Sequence, residues 1–400
     1  MTNQAGPSNQ PSRRNLVVCI DGTSNQFGTN VGDVFGNEQL TFYNSGIGTY
    51  AEPSWKSLSY LKQVLDHMID MAIAWNFETI IIVAYLWLSE HYQPGDRIFL
   101  FGFSRGAYQV RALAAMMAKV GLIKKGNQAQ IPFAYQLYAA CGTKDTSKAM
   151  AEYFRRVFAR EVNIHFIGAW DTVSSVGTVR DKTLPGTTDG MPQACCFRHA
   201  MALDERRVKF LPEYAHGGTS LPAVEPVKES DSSTNRNQDQ VPLRIHTKEV
   251  WFAGTHSDIG GGNVENPAMD RTRPPLRWMA FEAAAEGLHL STIDRNLTPD
   301  EKIDVHESLV WYWWVLEVLP VKRLSYKSKG KDSTWRPHCG VGRLIQPGQR
   351  VHSSVILSPA GPQYSSGDGN FAKSGRRGLA EEFWISCHAT LSAIHNTRRN

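Results

Sequence analysis

The chain has 400 residues, a formal net charge of +5 and a hydrophobic fraction of 42%. This composition is typical of a globular protein with enough apolar residues for a large core. The charge is small for this length and no Lys/Arg cluster is interleaved with aromatic residues, so nucleic-acid binding is not indicated. The six cysteines show no C-x-x-C spacing. Their scatter is typical of reduced thiols in an intracellular protein, with a single disulfide as the alternative.

The sequence shows no recognisable targeting or membrane-spanning segment. The stretch 1–15 is polar and lacks the apolar core of a signal peptide. The longest apolar run, "TIIIVAYLWL" at 79–88, is too short to span a bilayer. We therefore predict a cytoplasmic location, with residues 1–14 as a disordered tail.

Predicted strands and helices alternate along the chain. Short apolar, β-branched runs predict buried strands at 16–20, 98–103, 163–170 and 248–254. Apolar residues at helical spacing predict helices at 56–75, 79–91, from 107 onward, at 132–160, 198–210 and 276–288. The run 79–91 begins like a strand, but its length favours a buried helix.

Three further segments complete this assignment. A long polar, glycine-rich segment with "YNSGIGTY" at 43–50 follows the first strand, and the polar stretch 225–240 predicts a mobile surface loop. The aromatic stretch "VWYWWVLEVL" at 310–319 is interpreted as a buried amphipathic helix covering the sheet, with contact to a membrane interface as the alternative. The alternation of strands and helices predicts an α/β fold with a mostly parallel sheet and helices on both faces.

A serine stands at one of the predicted strand-to-helix corners. Ser104 follows the strand at 98–103, with Gly102 two residues before it and Gly106 two residues after it. Residues without a Cβ let a strand and a helix pass close together. This G-x-S-x-G pattern in that context is a nucleophile elbow, so we predict that Ser104 is a nucleophile. A solvated serine in a glycine-rich turn is the alternative.

A serine nucleophile needs a base and an acid that orients the base. Asp171 directly follows one predicted strand and His256 directly follows the next, in the order Ser, Asp, His that the elbow predicts. An Asx-turn at Asp171 and a histidine bonded to its own loop are the structural alternatives. Asp258, two residues beyond His256, is the alternative acid.

An acyl-transfer serine also needs backbone donors for the oxyanion. One donor is predicted to be the N–H of Arg105, the residue after the nucleophile. The turn "CIDGT" at 19–23 offers Gly22 or Thr23 as the second. This chemistry requires neither a metal nor a cofactor.

Six blocks of the sequence together resemble a known family. In chain order they are "VVCIDGTSN", "YNSGIGT", "GDRIFLFGFSRGAYQVR", "GAWDTV", "RHAMALDERR" and "WFAGTHSDIGGG". They resemble the signature blocks of an α/β-hydrolase family whose bacterial members include phospholipase effectors delivered by type VI secretion. The resemblance implies an α/β-hydrolase-like fold and a Ser-Asp-His hydrolase of carboxylic esters, with phospholipase A as the best-known case. By motif it places the nucleophile at Ser104, the base at His256 and the acid at Asp171.

The sequence thus predicts a serine esterase that acts through an acyl-enzyme on an ester or lipid substrate, with transient membrane-surface contact. The catalytic domain is predicted over 15–280, with insertions at about 180–245, and a C-terminal extension over 281–400 is predicted to pack on it. A catalytically silent protein of the same fold that binds a lipid or a protein is the alternative function. The substrate and the oligomeric state do not follow from the sequence.

Overall fold

The computed structural model describes residues 13–22, 38–45, 77–142, 145–174, 184–216, 246–262, 273–290, 305–320, 323–325, 332–345 and 349–357. Several predictions therefore lie outside the described residues. These are the helix at 56–75, the surface loop at 225–240 and all of the predicted tail except residues 13 and 14.

The described residues form a parallel central sheet and two small antiparallel pairs. The central sheet contains β1 (Asn15–Ile20), β2 (Gln39–Asn44), β3 (Arg97–Phe103), β6 (Ile164–Trp170), β7 (Ala194–Ala202), β8 (Thr247–Phe252) and β11 (Arg350–Val351). Its seven strands follow the order β11-β8-β7-β6-β3-β1-β2, and every pairing is parallel. The small pairs are β4 (Leu122–Ile123) with β5 (Ala159–Arg160), and β9 (Arg323–Ser325) with β10 (Asp332–Thr334).

Helices cover both faces of the sheet. They are α1 (77–91), α2 (Arg105–Val120), α3 (Ile131–Ala140), α4 (Asp145–Phe158), α5 (His256–Gly260), α6 (Pro274–Ala285), α7 (Trp314–Val318) and α8 (Ser354–Leu357). The predicted α/β-hydrolase-like class, with its parallel sheet between helices, is confirmed. The run 79–91 is helical, as its length predicts. Within the described part of the chain, no helix is long and apolar enough to cross a membrane.

Strand β1 shows why the two faces of the sheet are both buried. Leu16 and Val18 belong to the apolar cluster that contains α1 to α4, whereas Val17 packs on the opposite face with Met279 of α6. Successive side chains of a strand point to opposite faces, so a continuous apolar run suits a strand that is covered on both sides.

The helix predicted at 198–210 is wrong. Strand β7 continues to Ala202, and only a 3-10 turn at Val208–Phe210 follows. Two polar residues of this stretch are buried in the strand. Arg198 is ion-paired with Glu282 of α6, and His199 is hydrogen-bonded to Glu249 of β8.

Two other segments also differ from the sequence-based interpretation. Strand β2 lies within the segment for which the sequence predicts only a polar, glycine-rich stretch. Leu40 and Phe42, at alternate positions of this strand, pack against the core. The predicted buried helix at 310–319 is instead a 3-10 turn followed by the five-residue α7, and Trp311 is 83% exposed. Glu317 of this segment is fully buried, and it accepts hydrogen bonds from Val208 and His338.

Candidate active site

The turn between β3 and α2 holds Ser104 in a strained backbone conformation. Its φ is 58°, in the region that favours glycine, and such residues cost about 1–3 kcal/mol and cluster at functional sites. A Cβ at Gly102 would lie 2.5 Å from the carbonyl oxygen of Gly106, and one at Gly106 would lie 2.2 Å from that of Ile20. The two glycines therefore allow the close packing of strand and helix that a nucleophile elbow requires.

The three predicted triad residues lie together at the carboxyl ends of the strands. Asp171 follows β6, the neighbour of β3, and His256 begins α5 after β8. The distance from Ser104 Oγ to His256 Nε2 is 2.7 Å, and that from His256 Nδ1 to Asp171 Oδ2 is 2.6 Å. With Nδ1–H donating to the carboxylate, Nε2 is free to accept the serine proton. All three side chains are buried.

Asp171 is held from two further sides. Its Oδ1 accepts the N–H of Ala202 at 3.0 Å and Nη1 of Arg343 at 2.5 Å, while its Oδ2 accepts Nη2 of Arg343 at 2.9 Å. Burial acts to raise the pKa of the Asp171 carboxyl. The charge of Arg343 and the hydrogen bond from His256 outweigh this effect and hold that pKa well below its usual range. Asp171 is therefore a carboxylate at neutral pH.

Asp258 points away from the imidazole of His256 and orders the loop instead. Its Oδ2 accepts both the N–H and the hydroxyl of Thr255 at 2.8 Å, which forms a capping box at the start of α5. Its Oδ1 lies 2.7 Å from Nδ1 of His306. This aspartate thus connects the histidine loop to the segment 305–310.

The structure describes two of the three predicted oxyanion donors, Arg105 and Gly22. Arg105 is the first residue of α2, directly after the nucleophile. Gly22 lies beside the serine, because a Cβ added to it would be 3.2 Å from Ser104 Cβ. Its N–H donates to Asp21 Oδ1 at 2.8 Å, and Tyr43 donates to Oδ2 of the same carboxylate. Thr23 lies outside the described residues.

The sequence analysis did not identify several residues that surround His256. Glu205 Oε2 accepts the backbone N–H of His256 at 3.2 Å. The rings of Phe103 and Phe210 flank the imidazole, with centroids 4.7 and 4.8 Å away. Trp313 packs edge-on against Phe210. Arg343 was also missed, because no local motif marks a residue that contacts a partner 172 positions away.

The part of the chain that the structure describes contains no group of three or more His, Cys, Asp or Glu side chains that could hold a metal ion. The side chains around Ser104 are the imidazole of His256 and the carboxylate of Asp171, which is paired with His256 and Arg343. Such an arrangement is suited to acyl transfer by a serine, which draws its base from histidine and its electrophile from the backbone.

Comparisons with known proteins point to one family. The family described as "T6SS, Phospholipase effector Tle1-like, catalytic domain" matches residues 14–282. An uncharacterized protein of Saccharomyces cerevisiae, YEL023C, is 36% identical over 228 residues, which cover 51% of this chain and 33% of that protein. The chain therefore spans about a third of the length of this curated relative.

Two solved structures resemble the chain at low identity. A crystal structure of an uncharacterized protein from Pseudomonas aeruginosa is 15% identical with a TM-score of 0.34, covering 72% of this chain and 48% of that one. The Tle1 effector bound to the VgrG spike of the type 6 secretion system is 17% identical with a TM-score of 0.27, covering 65% and 55%.

Proposed function

Because this chain belongs to the family of Tle1-like phospholipase effector catalytic domains, we propose that it hydrolyses carboxylic esters of lipids through Ser104, His256 and Asp171. The observation that supports this most directly is the pair of hydrogen bonds, 2.7 and 2.6 Å long, that joins the three side chains. Both distances are within the reach required for proton transfer from a nucleophile to its base.

The proposed reaction proceeds in two halves. His256 Nε2 takes the proton of Ser104 while Oγ attacks the ester carbonyl, and the resulting imidazolium is stabilised by the Asp171 carboxylate. The tetrahedral intermediate expels the alcohol, which takes the proton from His256, and the acyl group remains on Oγ. A water molecule then gives its proton to His256 and attacks the acyl-enzyme, which releases the carboxylic acid and restores Ser104.

Backbone N–H groups are the proposed stabilisers of the oxyanion. The N–H of Arg105 is the first donor, and Gly22 or Thr23 supplies the second. Because the Gly22 N–H donates to Asp21 in this structure, it would have to exchange that partner for the oxyanion during the reaction.

An exposed aromatic surface next to the site supports a lipid as the substrate and transient contact with a membrane. We use the name aromatic surface for three tryptophans and two valines that are each more than a third exposed: Trp311, Trp314, Val315, Val318 and Trp335. Residues 338–340, which follow Trp335 closely in the chain, contact α7, since the Cys339 N–H donates to the Glu317 carbonyl and the Gly340 N–H donates to its carboxylate. Trp313 connects this region to His256 through Phe210. Tryptophan favours membrane interfaces, where lipid esters are presented.

The proposal is tested with a fluorophosphonate probe followed by peptide mapping. We expect labelling at Ser104, none in Ser104→Ala, and normal labelling in Ser353→Ala, a serine outside the site. Incubation with phospholipid vesicles should then release fatty acid and lysophospholipid with the wild type and Ser353→Ala, but not with Ser104→Ala. Vesicle binding without labelling or product release would instead favour a catalytically silent lipid-binding protein.

A further inference from the structure

We propose that Arg343 is a positioning residue for this reaction, which holds the Asp171 carboxylate in the orientation that directs His256 toward Ser104. The inference rests on the proposed function. Arg343 lies outside the stretch 14–282 that matches the family, in the predicted C-terminal extension. Its side chain is 1% exposed and forms a two-pronged ion pair with Asp171.

The hydrogen-bond pattern shows what the guanidinium does. Each oxygen of Asp171 accepts two N–H groups, one of them from Arg343. The two parallel N–H···O bonds from one planar guanidinium add to the single bonds from Ala202 and His256, and they restrain the plane of the carboxylate. The plane of this carboxylate determines where Oδ2 lies, and Oδ2 accepts the Nδ1–H of His256. Arg343 thus sets the tilt of the imidazole without contacting the reacting atoms.

The guanidinium is itself fixed from behind. Its Nη1 also donates to the Ala202 carbonyl at 2.8 Å, and its Nη2 donates to the Phe210 carbonyl. The segment around it is attached by two further bonds, from Arg206 Nε to the Gly340 carbonyl and from the Tyr214 hydroxyl to the Leu344 carbonyl. These contacts hold the Arg343 guanidinium in a fixed position against Asp171, whereas an arginine on the surface would be free to change its conformation.

The charge of Arg343 matters as well as its shape. A fully buried carboxylate without a cation becomes protonated more readily, because the low-dielectric interior disfavours its charge. A protonated Asp171 can no longer stabilise the imidazolium that forms at His256. The other titratable groups around the pair are Glu205 and Tyr214, which act on Arg343, and His199, which accepts the Thr172 N–H beside Asp171.

The sign of the resulting pH effect follows directly. Arg343 keeps the pKa of Asp171 well below its usual range, against the effect of burial. When the guanidinium is removed, that pKa rises, so activity should be lost at a higher pH as the solution is acidified. The acid limb of the pH–activity profile should therefore move toward neutrality in a variant that lacks the charge.

The experiment compares Arg343→Gln and Arg343→Lys with a control, Arg206→Gln. The control removes the hydrogen bond from Arg206 to the Gly340 carbonyl, in the segment that carries Arg343, but no hydrogen bond to Asp171. For Arg343→Gln we expect kcat to fall about 10- to 100-fold, as for other groups that orient a functional side chain by hydrogen bonding, with KM unchanged. Arg343→Lys should recover part of kcat and restore the wild-type acid limb. Added guanidinium should raise the activity of Arg343→Ala but leave Arg206→Gln unaffected.

A proton NMR measurement separates this inference from the proposed function, because it needs no substrate. The wild type and Arg206→Gln should show the far-downfield signal of the His256 Nδ1–H, and Arg343→Gln should lose it. If Arg343→Gln does not fold, Arg343→Lys and guanidinium rescue decide the question. An unchanged kcat, acid limb and downfield signal in the Arg343 variants would overturn the inference. A wild type that hydrolyses no ester would refute the proposed function but not the positioning of Asp171.

Discussion

Replacing Asp171 by asparagine tests the proposed acid, and the surrounding donors determine the outcome. Both carboxylate oxygens accept N–H groups only, from Ala202, His256 and Arg343. An asparagine keeps one oxygen and places an NH₂ at the other position, where it must face two donors. If the NH₂ faces Nδ1, it donates to the ring and moves the imidazole proton to Nε2, where the proton of Ser104 can no longer be accepted.

The expected magnitudes can be worked out from this arrangement. The wrong tautomer lowers kcat by about 10⁴-fold in other triads, which corresponds to about 5 kcal/mol in the activation free energy. The substitution also leaves the guanidinium of Arg343 buried without its counter-charge. Breaking a buried ion pair on one side costs about 3–5 kcal/mol of the free energy of unfolding.

The assay measures kcat with a chromogenic short-chain ester and the free energy of unfolding with urea. Asp258→Asn is the matched control, because it removes the charge that lies beside Thr255 and His306, keeps one oxygen as an acceptor and leaves Asp171 in place. It should lower stability by no more than about 1 kcal/mol, the typical contribution of a helix cap, and kcat by less than tenfold. The reasoning is refuted if Asp258→Asn loses as much kcat as Asp171→Asn, or if Asp171→Asn keeps more than about a tenth of the wild-type rate.

Four more outcomes are expected. Ser104→Ala should lose several orders of magnitude in turnover with little change in thermal unfolding. If this variant kept about a tenth of the activity, Ser104 would be excluded as the nucleophile. Hydrolysis should survive EDTA, since the triad needs no ion; a collapse that a divalent ion reverses would indicate a metal mechanism. Burial lowers the pKa of His352 to about 4. Because the pKa of a histidine in the unfolded chain is near 6.5, the unfolded chain binds this proton before the folded protein does as pH falls. About 3 kcal/mol of the free energy of unfolding is therefore lost between about pH 6.5 and 4. In urea unfolding, the free energy of unfolding of His352→Gln should fall less steeply with pH over this range. Trp311→Ser with Val315→Ser should weaken sedimentation with phospholipid vesicles but not hydrolysis of a soluble ester, whereas Tyr153→Ser with Val157→Ser, equally exposed on α4, should leave both unchanged.

The parts of the site that follow local rules could be predicted from the sequence. The elbow at Ser104 is encoded by two glycines between an apolar run and a helical pattern. The proximity of Asp171 and His256 follows from parallel topology, since the carboxyl ends of parallel strands meet at one edge of the sheet. Their catalytic roles remain predictions.

The parts that depend on tertiary contacts could not be predicted. The stretch 198–210 is predicted as a helix, but β7 continues to Ala202 and its Arg198 is buried against Glu282 of α6. Similarly, the aromatic stretch at 310–319 was assigned to the core from its hydrophobicity. In the structure its carboxylate, Glu317, is fully buried, because His338 and two backbone N–H groups satisfy it. A sequence pattern gives the polarity of a residue but not the partner that can compensate its burial.

The route by which His256 reaches Ser104 shows why the histidine loop is rich in glycine. Strand β8 lies three positions from β3 in the sheet, with β7 and β6 between them, and strands are spaced about 4.8 Å apart. The centres of these strands are therefore roughly 14 Å apart, and His256, the first residue of the short helix α5, lies four residues beyond the end of β8. At the end of α5, a Cβ on Gly260 would lie 2.3 Å from the Phe103 ring, which lies beside the imidazole. A side chain at Gly260 would therefore force either the Phe103 ring or α5 to move, so this glycine allows α5 to approach the residue that precedes the nucleophile.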